Sequence, residues 1–394
     1  MPHPLLQLKP KRDKAILQRH PWIFSGALAK PVKAEEGDIV EVQSHEGKVL
    51  GYGFFSSRSQ ISCRMFHWSN TAADFDTVEY WQNKIKRALD LRQSQVISSR
   101  TNVYRLIHAE GDFLPGLIID VYGEVAVAQI LIKGIEKRKA FLKEALYALG
   151  FKNVFVKAKS SSHVLEDIEA QSGWLVGEAQ SPIEVLENNL RYEVDFIDGQ
   201  KTGFFIDQRE NRALLGRLAQ GKKVLNTFSY TGGFSISALA GGATEVHSVD
   251  ISADALQVCD RNVELNFPGT QKHKSIVADC FDFLKDMPEN EYDIIILDPP
   301  AFAKHARAVD NASRGYKQIS LQAFRRIKPG GLVFTFSCSQ NISKDLFQKI
   351  VFGAAADAYR NVRIVHQLHQ PADHPINIYH PEGEYLKGLV LWVE

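Results

Sequence analysis

The run Asn226-Thr-Phe-Ser-Tyr-Thr-Gly-Gly-Phe-Ser235, a stretch of small residues, and then Glu245-Val-His-Ser-Val-Asp250 decide the fold. Val224 and Leu225 with their flanks read as a buried strand and the paired glycines as a tight turn. The small residues read as a helix, and the next apolar run as a second strand that ends in an acid. The pattern continues with strand candidates at Ser275-Ile-Val277, Ile294-Ile-Ile-Leu297 and Leu332-Val-Phe-Thr-Phe336, separated by segments long enough for helices. Strands alternating with helices from about residue 207 predict an α/β domain with a parallel, doubly wound, Rossmann-like sheet.

Upstream the pattern differs. Asp38-Ile-Val-Glu-Val42, Val49-Leu-Gly-Tyr-Gly-Phe-Phe55 and Ile61-Ser-Cys-Arg-Met-Phe66 read as short strands divided by Gly, Ser and charged residues, which fits a small β-barrel. Residues 74–95 switch to helical spacing, with Val78, Trp81, Ile85, Leu89 and Arg92 on one stripe. Strand candidates at 104–108, 116–122, 125–131 and 153–157 surround a helix over 136–149, a small α+β unit. Residues 191–205 are expected to form a hairpin around Asp198-Gly199. A chain of 394 residues exceeds one ordinary core. The expected division is a barrel over 1–70, an α+β domain over 71–190 and the doubly wound domain over 191–394.

The formal net charge is only +1, so any nucleic-acid contact must come from local charge. Two basic runs offer it: Lys9, Lys11, Arg12, Lys14, Arg19 and Lys30 near the start, and Lys304, Arg307, Arg314, Lys317, Arg325, Arg326 and Lys328 later. Runs of this kind are more often solvated faces than binding sites. The four cysteines, Cys63, Cys259, Cys280 and Cys338, form no Cys-x-x-Cys pair, so neither a disulfide framework nor a structural metal is expected. There is no signal peptide and no apolar run of membrane-spanning length, which predicts a cytoplasmic, reducing location and no membrane partner.

In a doubly wound sheet, ligands bind beyond the carboxyl ends of the strands. Asp250 is placed to accept the hydroxyls of a ribose, with the loop Tyr230-Thr231-Gly232-Gly233 beside it. The glycines do not follow Gly-x-Gly-x-x-Gly, and no Gly-Lys-Thr phosphate cradle is present. S-adenosylmethionine needs ribose contact and room but no anion cradle. Asp279 has two readings, a hydrogen bond to the adenine amino group with Cys280 or Phe281 packed nearby, or a helix N-cap before Phe281-Asp-Phe-Leu284.

Ile294-Ile-Ile-Leu-Asp298 is a buried strand with an acid at its end, and Pro299-Pro300 then stiffens the turn. A carboxylate there suits the polar edge of a nucleobase. Cys338 follows the next strand, at the same end of the sheet. Carbon 5 of cytosine is a poor nucleophile; a thiolate added at carbon 6 makes it an enamine able to take a methyl group. Asp298 at the ring nitrogen would favour that addition. The plain reading of Cys338 is a small apolar residue in a turn.

These segments resemble the large-subunit rRNA (cytosine-5)-methyltransferases that carry a PUA domain, over nearly the whole chain. Leu8-Lys-Pro-Lys11 and His20-Pro-Trp-Ile-Phe-Ser-Gly26 look like the opening of their PUA RNA-binding barrel. His108-Ala-Glu-Gly-Asp112 with Pro115-Gly-Leu117 looks like their central domain, and Lys201-Thr-Gly-Phe-Phe-Ile-Asp-Gln-Arg-Glu-Asn-Arg212 like the segment that closes over the cofactor. The resemblance implies S-adenosylmethionine bound by Phe205, Gln208, Phe228, Tyr230, Thr231, Gly232, Gly233, Asp250, Ser252, Asp279, Cys280 and Asp298. It implies Cys338 as nucleophile, Asp298 at the base edge, large-subunit 23S rRNA as partner and 5-methylcytosine as product. One departure matters: Pro299-Pro300-Ala301 lacks the second cysteine many RNA cytosine-5 enzymes carry there, so the base that removes the carbon-5 proton is not identified. A homodimer is compatible with the sequence, though no motif marks an interface.

Two other readings stay open. Asp298-Pro-Pro also resembles the Asp-Pro-Pro-aromatic motif of amine-methylating enzymes, though Phe302 stands one position late for it, and guanine N7 methylation would need no thiol. A non-catalytic RNA-binding assembly factor would keep the barrel and the basic runs, but the cofactor loop and Cys338 argue against it.

Overall fold

The computed structural model describes residues 3–158, 168, 171–303 and 305–394; Lys304 of the second basic run lies outside them. The chain divides into two compact units. Unit 1 comprises 1–185, 194–206 and 372–383, and unit 2 comprises 186–193, 207–371 and 384–394.

Unit 1 begins with a five-stranded sheet, β1 (Leu5–Gln7), β2 (Trp22–Phe24), β3 (Ile39–Gln43), β4 (Val49–Phe55) and β5 (Ile61–His67), in the order β1-β3-β4-β5-β2. Its second sheet has the order β10-β9-β8-β7-β6, from β6 (Val103–His108), β7 (Leu117–Tyr122), β8 (Val125–Ile130), β9 (Asn153–Val156) and β10 (Gly173–Val176). The helix Val78–Gln95 lies between them in sequence, and Thr77 caps its start by accepting from the Tyr80 N–H. Trp81, Ile85, Ala88 and Arg92, spaced by four, three and four residues, are its buried face. Trp81, Ile85 and Ala88 share one apolar core with Ile39, Phe54 and Phe66 of the first sheet and Leu106, Ile119 and Ala128 of the second. The helix expected over 136–149 is two pieces, Lys133–Glu136 and Lys139–Ala148.

The hairpin is not where the sequence suggested. β11 (Ile183–Glu187) and β12 (Leu190–Val194) form it, and Asn188 and Asn189 turn at φ 53° and 65°, the two left-handed positions of a tight β-turn that asparagine tolerates. Asp198-Gly199 lies in a loop instead. There Asp195 accepts from the N–H groups of Ile197 and Asp198 through its carboxylate and from Gly199 through its carbonyl. That local network takes the backbone groups a strand would have used.

Unit 2 is built on a seven-stranded sheet of β13 (Lys223–Thr227), β14 (Glu245–Asp250), β15 (His273–Val277), β16 (Ile294–Leu297), β17 (Gly331–Ser337), β18 (Val362–Leu368) and β19 (Lys387–Val393). The order is β15-β14-β13-β16-β17-β19-β18. The first five strands are parallel, as the alternating pattern predicts. The last two are a correction: β19 inserts antiparallel between β17 and β18, so the sheet is mixed. Gly388 on β19 permits this approach, since a Cβ there would stand 2.6 Å from the Phe336 ring. The strand order reverses between β13 and β16, which opens a crevice at their carboxyl ends. No described helix is long and apolar enough to cross a membrane.

Candidate active site

Strand register brings the candidates together. Thr227 stands opposite both Val249 and Leu297, and Leu297 opposite Thr335. The next residue of each strand, Phe228, Asp250, Asp298 and Phe336, therefore comes at one level on the carboxyl edge. Cys338 follows two residues past that level, and Asp279 two residues past Val277, the partner of Asp250. One edge of one sheet thus gathers the loop, three acids and the thiol.

The loop after β13 is held in an uncommon shape. Phe228, Tyr230 and Gly232 have φ of 53°, 48° and 82°. Left-handed conformations at bulky residues cost free energy and gather where a backbone is shaped for a ligand. Several contacts fix them. The Phe228 N–H donates to Cys280 Sγ at 3.2 Å, the Tyr230 N–H to Asp250 Oδ2 at 2.8 Å, and Asn262 Nδ2 to the Thr231 carbonyl at 3.1 Å. At Gly232 a Cβ would stand 2.3 Å from Cys259 Sγ, and at Gly233, where the helix Gly233–Ala240 begins, 3.1 Å from the Arg212 side chain. Arg212 is itself buried in a two-bonded pair with Glu187, both contacts 2.7 Å.

Asp250 is fixed from both sides, because the Ser252 N–H donates to its Oδ1 at 2.9 Å. Ser252 spends its own hydroxyl capping the helix Ala253–Asn266. Asp279 is an N-cap: its Oδ1 accepts from the N–H groups of Phe281 and Asp282, leaving Oδ2 directed by those bonds. Cys280 is buried, and burial pushes its thiol up to about 12, so it acts as a packed hydrogen-bonding group. Cys259 is equally buried and pushed up to about 12. Phe205 belongs to unit 1, where Lys201 Nζ lies 4.2 Å from its ring centroid.

The Asp298 carboxylate accepts from Gln208 Nε2 at 3.0 Å, and Asn211 Nδ2 donates to Gln208 Oε1 at 2.6 Å. The loop after Asp298 and the loop that carries Cys338 are tied together. Ser339 Oγ accepts from the Ala303 N–H at 3.2 Å and meets the Tyr316 hydroxyl at 3.0 Å, while Asn341 Nδ2 donates to the Ala303 carbonyl. Phe302 packs against Tyr316 with the rings tilted, centroids 4.7 Å apart, and Phe281 joins Phe302 to Phe228. Cys338 is half-buried, in contrast to the other three cysteines.

Three residues near the edge were not foreseen. Tyr385 donates its hydroxyl to buried Asp207 at 2.8 Å, Gln370 Oε1 accepts from the Tyr385 N–H, and Lys387 Nζ donates to the Ser339 carbonyl at 2.7 Å. The available signal was a lysine opening the apolar run Gly388-Leu-Val-Leu-Trp-Val393.

The donor set suits a nucleoside with no phosphate. A fixed carboxylate, Asp250, stands at the carboxyl edge of the sheet, no lysine follows the glycines, and buried Ser229 Oγ has no partner within the described residues. Among those residues no cluster of acids, histidines and cysteines could hold a metal ion.

The family described as S-adenosylmethionine-dependent methyltransferase matches residues 116–385, and a PUA-like domain matches residues 6–68. Ribosomal RNA large subunit methyltransferase I of Shewanella denitrificans is 40% identical over 392 residues, covering 98% of this chain and 98% of its own. The protein of the same name from Pseudoalteromonas translucida is 41% identical over 390 residues, covering 97% and 98%. A solved structure of a candidate methyltransferase complexed with SAH is 25% identical, with a TM-score of 0.85 over 99% of this chain and 100% of its own.

Proposed function

The chain belongs to the family of ribosomal RNA large subunit methyltransferase I, a PUA-like domain joined to an S-adenosylmethionine-dependent methyltransferase, and from that premise we propose that it methylates carbon 5 of a cytosine through a covalent Cys338 adduct. It is an S-adenosylmethionine-dependent rRNA methyltransferase acting on large-subunit RNA. The observation that carries the finer reading is the tie between the two loops at one sheet edge, which keeps Asp298 and Cys338 on neighbouring strands.

Asp250, fixed by two backbone N–H groups, would take the ribose hydroxyls, and Asp279 Oδ2 the adenine amine. When bound, S-adenosylmethionine supplies an electrophilic methyl group. The target cytosine must first be unpaired or flipped out of its helix. Cys338 Sγ then bonds carbon 6, and the electron pair of the carbon 5–carbon 6 bond becomes available at carbon 5. Asp298, oriented by Gln208, holds the N3 edge and stabilises the addition. After methylation, loss of the carbon-5 proton restores the double bond and returns the pair of the Sγ–carbon 6 bond to sulfur. Phe302 packs against Tyr316, which gives no support to a base-stacking role of the amine-methylating type.

Nucleoside analysis of unmodified large-subunit rRNA after incubation with labelled S-adenosylmethionine tests the reading. A 5-methylcytidine peak that vanishes in Cys338→Ala is expected. A methylguanosine peak, or full activity in Cys338→Ala, overturns it.

A further inference from the structure

β19 brings a cation to the foot of the nucleophile loop. Lys387 stands opposite Ser337, the last residue of β17, and is only 5% exposed. Its Nζ donates to the carbonyl of Ser339. Its backbone partner therefore precedes Cys338 by one residue, and the carbonyl it binds follows Cys338 by one residue. A buried ammonium is costly unless something nearby compensates it; among the described residues Lys387 makes no ion pair, and its hydrogen bond goes to a neutral carbonyl. A cation beside a thiol favours the thiolate.

We propose that Lys387 is a positioning residue of the active site: its ammonium fixes the Ser337–Ser339 bend and stabilises the Cys338 thiolate that attacks carbon 6. This rests on the cytosine reading above. The Sγ–H proton passes to solvent, the Sγ–carbon 6 bond forms with the sulfur pair, and on release that pair returns to sulfur beside the same ammonium. The charged groups that face Lys387 are Cys338 and Glu384, which oppose the lowering by burial and leave it at about 8. Lys387 is thus still mostly a cation at neutral pH. The Tyr316 hydroxyl also faces Cys338, and burial raises it, so it stays neutral there.

The test is the rate of iodoacetamide alkylation against pH on the full chain, with the modified peptide identified by mass. Cys63, Cys259 and Cys280 are buried, so the native protein reports Cys338. Lys387→Met is expected to raise the alkylation midpoint by about 1–3 pH units, and Lys387→Arg to keep it low. A purely structural lysine would move neither. An unchanged midpoint in Lys387→Met overturns the proposal, as does Lys387→Arg behaving like Lys387→Met. Calorimetric binding of S-adenosylmethionine checks that each variant is folded, and Lys387→Gln replaces Lys387→Met if the latter is not. Full methylation by Cys338→Ala would overturn the cytosine reading while leaving the alkylation result to stand by itself. An inactive Cys338→Ala together with an unmoved midpoint in Lys387→Met would sink the lysine's role alone.

Discussion

In unit 1 the buried charges close on one another. Arg92 reaches both oxygens of Asp112 and the carbonyl of Asp373, and Arg105 reaches both oxygens of Asp120, which also accepts from Thr202. At the sheet edge of unit 2 the acids are fixed differently. Asp250 and Asp279 each accept from two backbone N–H groups. A carboxylate matched by a guanidinium has its field cancelled where it stands; one oriented by neutral dipoles keeps its charge for a ligand. Two lysines repeat the contrast. Lys84 of unit 1 donates to the carbonyls of Phe66 and Phe113, beside another cation, Arg87. Lys387 of unit 2 donates to one carbonyl and faces a thiol.

If that contrast is right, substitutions in the two regions should fail in different assays. The largest effect is expected for Asp298→Asn, a loss of about 10²–10⁴ in methylation rate with little change in denaturant midpoint; a large drop in stability instead would place Asp298 with the structural charges. Arg92→Met should do the reverse, costing about 3–5 kcal/mol in chemical denaturation because Asp112 is left buried and unmatched. A marginal loss there would break the comparison from the other side. Asp250→Ala should weaken S-adenosylmethionine binding by about 1.5–3 kcal/mol in calorimetry, the range for hydrogen bonds to a charged group, while the melting temperature without cofactor moves little. Asp279→Ala sits between the two cases, since its carboxylate is a cap: about 1 kcal/mol of stability should go with it, and a further loss of cofactor affinity would show that Oδ2 also serves the adenine.

The smallest expected effect is a slope. Burial lowers Lys84 from its usual value to about 7. The folded state therefore binds this proton more weakly than the unfolded state, so between about pH 7 and the ordinary lysine value stability rises with pH. Below that window the charged lysine is penalised in full. Lys84→Met should flatten this part of the stability–pH curve, and an unaltered slope would mean that the ammonium is better solvated than its two carbonyl contacts suggest.

Much of this was legible in the chain. Ile294-Ile-Ile-Leu297 and Val49 to Phe55 form strands with the bounds their apolar runs imply. The stripe of Trp81, Ile85 and Arg92 is the buried side of its helix, although that its last member would be a wholly buried arginine needed Asp112, twenty residues on, to come into view. The reading failed where a local signal had competition. Asp198-Gly199 is a favoured turn pair, yet Asn188-Asn189 lies between the strands that pair, and Asp195 draws the later residues into its own network. β18 and β19 were unread, and with them went Lys387, because nothing near Cys338 in sequence announces a strand that returns about fifty residues later.

The sequence by itself determined the alternating elements from Lys223 to Ser337, their order and the residue types at each strand end, since propensity, period and turn chemistry act over a few neighbouring residues. Only the tertiary structure decided that Gln208 orients Asp298, that Ala303, Ser339 and Asn341 tie the loop after Asp298 to the loop of Cys338, and that an antiparallel strand carries a lysine to that loop. Those facts depend on register between strands distant in the chain, and register is set by which faces can be buried together once the whole sheet has formed.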